Sequence, residues 1–308
     1  MIAGAVAMIA GCYQPAPPQG LPCTSELRCP AGQRCVLDAA DGPRCNGLSV
    51  EEEPPHPTND GPAAAVDVSA GGTFAIELAG ATDDTGSSCA PGRPDVFYRF
   101  ALTKAETIYL DTFDSPFDTA VTLRAGACPA AGEERACVED SCGRAQSQGA
   151  WNLAAGEYCI VVDGPAASPD PGADSAGKLS VVRGKYTGDP LPAATSGSVR
   201  GDTCTDDNSN SAGCGCEPAE DHHYFFTVCP GVMTATRFET CGTMATWDTV
   251  LQLRSAGGDG LACDDDTCDG TSSAINRTVM GPALFWAIID GCTECGEYTM
   301  KYTLTPRP

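Results

Sequence analysis

The sequence predicts an all-β protein built from two tandem two-sheet β-sandwich domains behind a small disulfide-rich module. Three observations carry that prediction. Long amphipathic helical patterns are nearly absent, while short β-branched and aromatic runs alternate between turn signals. Four sequence blocks recur in one order in the two halves of the chain. The 308 residues also include 19 cysteines, a density suited to an oxidising compartment where disulfides staple loop-rich folds.

Residues 1–12 form an uncharged apolar run closed by Ile9-Ala-Gly-Cys12. The run has about the length of the apolar core of an export signal and falls short of the roughly 20 residues of a membrane-spanning helix. Its end resembles a bacterial lipobox, in which the cysteine thiol is lipidated and becomes the mature N-terminus. That resemblance implies export, a lipid anchor at Cys12, and a place on the outer membrane or cell surface. No Lys or Arg precedes Cys12, although export signals open with positive charge. Either this start lies downstream of the true one, or the run is an ordinary apolar terminus. Residues 13–22 are Pro-rich and read as a stiff tether.

Residues 23–47 place Cys23, Cys29, Cys35 and Cys45 in a segment too small for a hydrophobic core, so two disulfides must hold it. The pattern resembles short Cys-rich modules near the N-termini of bacterial surface lipoproteins. Among the three connectivities that four cysteines allow, the expectation is Cys23–Cys35 with Cys29–Cys45. Residues 48–61 combine a glutamate run with prolines and read as an acidic linker; His56, inside it, is given no role.

The repeat then begins. Pro94-Asp-Val-Phe-Tyr-Arg-Phe100 recurs as Glu220-Asp-His-His-Tyr-Phe-Phe226, and Phe117-Asp-Thr-Ala-Val-Thr-Leu-Arg124 as Trp247-Asp-Thr-Val-Leu-Gln-Leu-Arg254. Ala136-Cys-Val-Glu-Asp-Ser-Cys142 recurs as Ala262-Cys-Asp-Asp-Asp-Thr-Cys268, and Ile160-Val-Val-Asp-Gly164 as Ala287-Ile-Ile-Asp-Gly291. Such a period is too long for a solenoid and suits a duplicated domain. The copies are expected over 62–184 and 195–308, joined by a linker at 185–194. Alternation puts Val96, Tyr98 and Phe100 on one face and Phe97 and Arg99 on the other, and pairs Val121 with Leu123 as Leu251 with Leu253. Short strands of this kind, spaced by turns over about 100 residues, suggest a two-sheet sandwich. The motifs Asp-x-x-Tyr-x-Phe, Phe-Asp-Thr, Ala-Cys-x-x-Asp, Leu-Ala-Ala-Gly-Glu-Tyr and Val-Val-Asp-Gly together resemble the bacterial pre-peptidase C-terminal family. The resemblance implies two jelly-roll-like sandwiches of the kind appended to secreted proteases and other surface proteins. It is looser in the second copy, where Val279-Met-Gly-Pro-Ala-Leu284 replaces Leu153-Ala-Ala-Gly-Glu-Tyr158.

The first copy holds five cysteines and the second nine. Both counts are odd and their sum is even, so one bridge between the copies or to a linker is expected, or else an unpaired thiol in each. Close pairs such as Cys214-Gly-Cys216 and Cys292-Thr-Glu-Cys295 could serve zinc, but export favours disulfides.

The acidic hairpins are the chemical candidates. Cys137-Val-Glu139-Asp140-Ser-Cys142 and Cys263-Asp264-Asp265-Asp266-Thr-Cys268 crowd carboxylates into tight loops, each expected to be closed by its own flanking bridge, Cys137 to Cys142 and Cys263 to Cys268. With Asp118 and Asp248 before the preceding strands, they form candidate calcium sites, because hard cations take several oxygens at about 2.3–2.6 Å. The alternative is that these are solvated turn acids, with Asp118 and Asp248 bonded to nearby backbone amides.

A net charge of −23 excludes nucleic acid as a partner. Of three histidines, His222 should face inward beside Tyr224 and His223 outward; the first copy has none. No nucleophile elbow, metalloprotease helix or phosphate loop appears, so no catalytic residue and no organic cofactor are assigned. Trp151 and Trp247 could stack on sugars, although Trp247 aligns with Phe117 and, like Trp286, reads as core. The expected function is non-catalytic binding or adhesion at the cell envelope, calcium-assisted, with a glycan or a protein as candidate ligand. The family resemblance implies, as an alternative, an accessory protein for a secreted hydrolase; a structural envelope spacer is a third reading.

Overall fold

The computed structural model describes residues 21–22, 33–36, 44–47, 56–128, 132–165, 176–210, 213–214, 219–242, 246–268 and 270–307. The chain divides into two compact units, Met1–Pro55 and His56–Pro308. In the first, strands β1 (Leu21–Pro22), β2 (Gln33–Val36) and β3 (Arg44–Gly47) form a small antiparallel sheet in the order β1-β3-β2. The lipidation site Cys12 and the side chains of Cys23, Cys29, Cys35 and Cys45 lie outside the described residues.

The second unit holds both sandwiches. The first copy contributes β4 (Val66–Asp67), β5 (Gly72–Glu77), β6 (Asp95–Leu102), β7 (Glu106–Asp111), β8 (Ala120–Ala125), β9 (Glu134–Val138), β10 (Gln148–Leu153), β11 (Gly156–Asp163) and β12 (Ala176–Arg183). The second contributes β13 (Asp189–Pro190), β14 (Ser196–Asp202), β15 (His222–Val228), β16 (Met233–Glu239), β17 (Thr249–Ser255), β18 (Gly260–Asp264), β19 (Ala274–Met280), β20 (Ala283–Gly291) and β21 (Glu297–Arg307). Each copy has a five-stranded and a four-stranded sheet: β4-β6-β11-β8-β9 with β10-β7-β12-β5, then β13-β15-β20-β17-β18 with β14-β21-β16-β19.

The two strand orders correspond strand for strand. Both copies start with a short strand pairing in parallel, β4 on β6 and β13 on β15. Both shift register at the same place, between Leu123 and Arg124 and between Leu253 and Arg254. A buried threonine pair also recurs, Thr112 to Thr119 at 2.6 Å and Thr240 to Thr249 at 2.7 Å. Next to it, the amides of Ser147 and Ser273 each donate to the first threonine at 2.9 Å. These matches make the duplication a property of the fold as well as of the sequence.

The cores follow the alternation. Val96, Tyr98, Phe100, Val121 and Leu123 meet Ile108, Leu110 and Leu179 inside the first sandwich, and Leu251, Leu253 and Ile289 meet Phe238, Tyr298 and Met300 inside the second. Trp247 is buried and donates from Nε1 to the carbonyl of Glu297 at 2.9 Å. Trp151 lies half-buried against the first core, over Gly149, where a Cβ would collide with its ring.

The sandwiches stack face to face. Tyr109, Ala150 and Val182 on the outer face of the first copy's four-stranded sheet meet Phe225, Leu284, Trp286 and Ile288 on the second copy's five-stranded sheet. Gly184 lies so close that a Cβ there would sit 2.8 Å from Trp286 and 3.0 Å from the Thr107 carbonyl. Residues expected as a linker belong to this contact, since Tyr186 is buried and stacks on His223 at 4.6 Å. His223 faces away from its own core as expected, yet it is buried, because the inter-copy segment covers that face. The outer face of the first copy's five-stranded sheet is covered differently. Phe97, Cys159 and Val161 pack there against Ala65 and Cys128, and Asn59 bonds the Phe97 backbone in both directions, at 2.9 and 3.0 Å.

Six disulfides join described cysteines: Cys89–Cys137, Cys128–Cys159, Cys142–Cys229, Cys204–Cys295, Cys214–Cys263 and Cys241–Cys268. Cys292 is disulfide-bonded too. The expected bridge between copies is Cys142–Cys229. The expected closure of each acidic loop by its own two cysteines does not occur. Cys137 and Cys263 lie on strands β9 and β18 and reach the loops ahead of β6 and β15. Cys142 follows its turn at a left-handed φ of 62° and joins the other sandwich, and Cys268 joins Cys241. Bridges of this kind fit an exported protein.

Candidate cation site in the second sandwich

The acidic loops lie at the β8–β9 and β17–β18 edges of the two five-stranded sheets, and their electrostatics differ. In the first copy Arg93 reaches into the loop, with Nη1 3.0 Å from Asp118 Oδ2 and Nη2 4.0 Å from Glu139 Oε2. Asp140 points to solvent from a left-handed backbone, φ 48°. A guanidinium thus already balances Asp118 and Glu139 where a cation would sit.

In the second copy the residue before the Glu220-Asp221 block is Ala219, buried, in the position of Arg93. No arginine enters the loop from there. Oxygens of Asp248 and Asp265 lie within 4.8 Å of each other and of the Cys292 sulfur. Two oxygens sharing one cation at bonds of about 2.4 Å also lie within that distance of each other. The sulfur, being in a disulfide, offers no thiolate, so the donors are oxygens. Burial holds the Asp248 carboxyl above its ordinary range, and Asp265, Asp266 and Glu294 push it further the same way. Asp265 is raised by burial and then by Asp266 and Asp264. The charges that raise these two groups are all carboxylates. Asp248 Oδ1 is buried with no hydrogen-bond partner.

The remaining acids divide by role. Asp264 closes the turn, accepting from the amides of Ala274 at 2.7 Å and Thr267 at 3.3 Å and from the Thr267 hydroxyl. Asp266 is exposed. The loop cannot spread to relieve the repulsion, because Cys214–Cys263 and Cys241–Cys268 pin it on both sides, and Cys292 donates its amide to the Asp248 carbonyl at 3.0 Å. Such a frame suits a hard divalent cation. Sequence reasoning missed Arg93 and Glu294. The signal for the first was the Arg-to-Ala difference beside an otherwise matching block; Glu294 was hidden in a cysteine pair weighed for zinc.

A second acidic feature went unassigned although both copies print it. Asp95 and Asp163 face each other at the ends of β6 and β11; in the second sandwich Asp221, just before β15, lies near enough to Asp290 on β20 to raise it, and all four are buried. Asp95 accepts from the amides of Thr85 at 3.0 Å and Asp84 at 3.3 Å. Among the described residues Asp163 accepts only from the Ser87 hydroxyl, at 3.4 Å, and its Oδ2 has no partner. Burial lifts both to about 7, and Asp95 adds to the lift of Asp163. In the second copy His223 Nε2 lies 2.9 Å from Asp221, and Asp290 accepts from Gln252 at 3.1 Å and from the amides of Gly291 and Ala219 at 2.8 and 3.3 Å. The neighbouring His222 lies between Asp206, at 2.7 Å, and Asp189, at 3.4 Å. It tilts against Tyr224 at 4.7 Å between centroids, on the inward side as expected.

No family model matches the chain, and no curated protein does. Among solved structures, the chain is similar to the pre-peptidase C-terminal domain of a collagenase from Bacillus anthracis. That match has 10% identity and a TM-score of 0.26, over 39% of this chain and 99% of that one. A putative secreted protein from Eubacterium rectale matches at 11% identity and a TM-score of 0.23, over 76% of this chain and 74% of that one. An isomalto-dextranase from Arthrobacter globiformis T6, complexed with panose, matches at 10% identity and a TM-score of 0.20, over 70% of this chain and 35% of that one. Likenesses at these TM-scores carry no argument about activity.

Proposed function

We propose that this is a non-catalytic binding protein of the cell envelope, lipidated at Cys12, whose second sandwich is made more stable by a calcium ion. The observation that carries the calcium assignment is the contrast between copies. Arg93 balances the acids of the first loop, whereas the second loop has Ala219 in place of that arginine, neighbouring carboxylates raise Asp248 and Asp265, and the buried Asp248 Oδ1 has no hydrogen-bond partner among the described residues. Asp248 and Asp265 would supply first ligands, with Asp266 and Glu294 completing the negative field. The first-copy residues Asp118, Glu139 and Asp140 are not assigned to calcium, and Asp264 serves its turn.

A thermal melt of the full chain, disulfides intact, tests this. A ligand that binds only the folded state stabilises it by about 2.7 kcal/mol at a hundredfold excess over Kd. Millimolar calcium is expected to raise the melt by several degrees, reversibly with chelator. Asp248→Asn should abolish the response and, in chelator, melt at or above the wild type, because one crowded carboxylate is gone. An unchanged wild-type melt would return these acids to the role of solvated turns.

The anchor has its own test. Cys12→Ser is expected to move the protein from the membrane fraction to the soluble one, and protein that stays with the membranes would remove the lipid reading.

A further inference from the structure

The outer face of the last four-stranded sheet reverses the sign of the molecule. The chain has 41 acidic residues against 18 Lys and Arg, yet Arg237, Arg277 and Arg307 line one shallow cavity of about 520 Å³ across β16, β19 and β21. Its floor is made of short polar side chains, among them Asn276, Thr278, Thr303 and Thr305, and neither a carboxylate nor an aromatic ring lines it. Alternation explains all of the arrangement but Arg277, which alternates with the buried Ile275 and Val279 and lines the cavity from β19, the edge strand of the sheet. Thr303, Thr305 and Arg307 leave β21 on one side while Tyr302 goes to the core, and the register sets Thr303 beside Arg237 and Thr305 beside Ala235. Arg237 is held by Glu239 at 2.9 Å and by Asn276 at 3.1 Å. Arg277 and Arg307 are exposed and make no ion pair among the described residues.

Resting on the reading of this protein as a binding module, we infer that this trough is its ligand site and that the ligand is an anionic polysaccharide bearing carboxylate or sulfate groups. Guanidinium forks match such groups in a bidentate way, and the threonine hydroxyls and Asn276 amide can both donate to and accept from sugar hydroxyls. A neutral glycan would call for an aromatic platform, which the trough lacks. A strand-adding peptide would pair along the outer edge of β19, the last strand of the sheet, rather than across this face, because the backbone of β16 and β21 beneath it is spent in sheet ladders. The net charge of −23 does not forbid the contact, because at physiological salt fields fade over about 8 Å and the local arginines dominate. The first copy uses the matching sheet face for docking as well: there it carries Tyr109, Ala150 and Val182 and is covered by the second sandwich.

The test is retention of the full-length chain on immobilised polygalacturonate, dextran sulfate, neutral dextran and poly-glutamate, in chelator so that calcium cannot bridge carboxylates. The expected result is retention on the two anionic glycans only, weakening as salt rises. The double variant Arg277→Gln, Arg307→Gln should bind at least about tenfold more weakly while keeping the wild-type melt. Equal retention of the double variant overturns the inference, as does equal binding of poly-glutamate, which would make the site one for acidic peptide. Retention on neutral dextran alone would leave the binding-module reading standing and overturn this one. Retention on none overturns this inference too, while the calcium melt still decides its own question, because Asp248 and Asp265 lie outside the trough.

Discussion

Asp163→Asn is expected to make the protein more stable at pH 8 and to flatten its stability between pH 4 and pH 8. The carboxyl of Asp163 titrates near its ordinary 3.8 in the unfolded chain but near 7 when folded, chiefly through burial and then through Asp95. Between those values the folded state keeps a proton that the unfolded state has released. Its contribution is therefore fully present below about pH 4, declines as the pH rises through 7, and stays lost above. A shift of this size corresponds to a few kcal/mol, at about 1.4 kcal/mol per unit. Asparagine carries no charge and brings a donor to a place where Asp163 Oδ2 has no partner and where Asp95 faces it. At pH 8 the gain should be on the order of 2 kcal/mol or more, read as a melt higher by roughly 4–8 °C for a unit of this size. At pH 4 the two proteins should melt together. Asp290→Asn is the control. Burial lifts that carboxyl to about 7 as well, so the same flattening with pH is expected, but its oxygens accept from three donors and asparagine would forfeit one of those bonds, so the gain at pH 8 should be smaller. A variant Asp163→Asn that melts lower than wild type at pH 8 would show that the carboxylate is needed in its charged form.

The second large effect concerns Cys142–Cys229, which ties the copies together across a sequence separation of 87. Cys142→Ser with Cys229→Ser is expected to cost about 2–5 kcal/mol, towards the upper end for so long a loop. The melt should fall by roughly 5–15 °C. The apolar contact around Trp286 and Tyr109 remains, with the Lys185 amide donating to the Ala256 carbonyl at 2.8 Å and Gln148 Nε2 to the Val228 carbonyl at 3.2 Å. The sandwiches should therefore stay docked but open more often. Faster proteolysis around 228–232 would report that opening, and a melt within a degree of wild type would show that the apolar face alone sets the coupling.

What the sequence revealed depends on how local the determining physics is. The alternation of Val96, Tyr98 and Phe100 sets which face is core, and the structure keeps it. The odd cysteine counts pointed to a bridge between copies or to a linker, with an unpaired thiol in each as the alternative, because parity needs no geometry. Pairing was not legible: Cys137 and Cys142 are close in sequence, but their partners come from loops 48 and 87 residues away. The burial of His223 depends on a segment that alternation cannot see. The acidic loops were legible as such, but which copy brings an arginine into its loop turned on Arg93 against Ala219, one residue outside the motif. The buried aspartates were printed in both repeats and passed over, because nothing in a strand-end Asp-Gly announces that its carboxyl is turned inward.

The docking of unlike faces has an assembly consequence. A two-fold contact closes on itself, whereas a head-to-tail contact can in principle be extended by adding subunits. Here the stack of copies runs in one direction, from a donor face to a receiving face. The receiving face of the first copy is already occupied by its own chain around Asn59, Ala65 and the Cys128–Cys159 bridge. The donor face of the second copy sets Arg237, Asn276 and Thr303 where the first has Tyr109, Ala150 and Val182, and keeps exposed Met233 and Met280 only at one end. Both growing ends are blunted, as the terminal repeats of solenoids are, and a geometry that could polymerise is held at two.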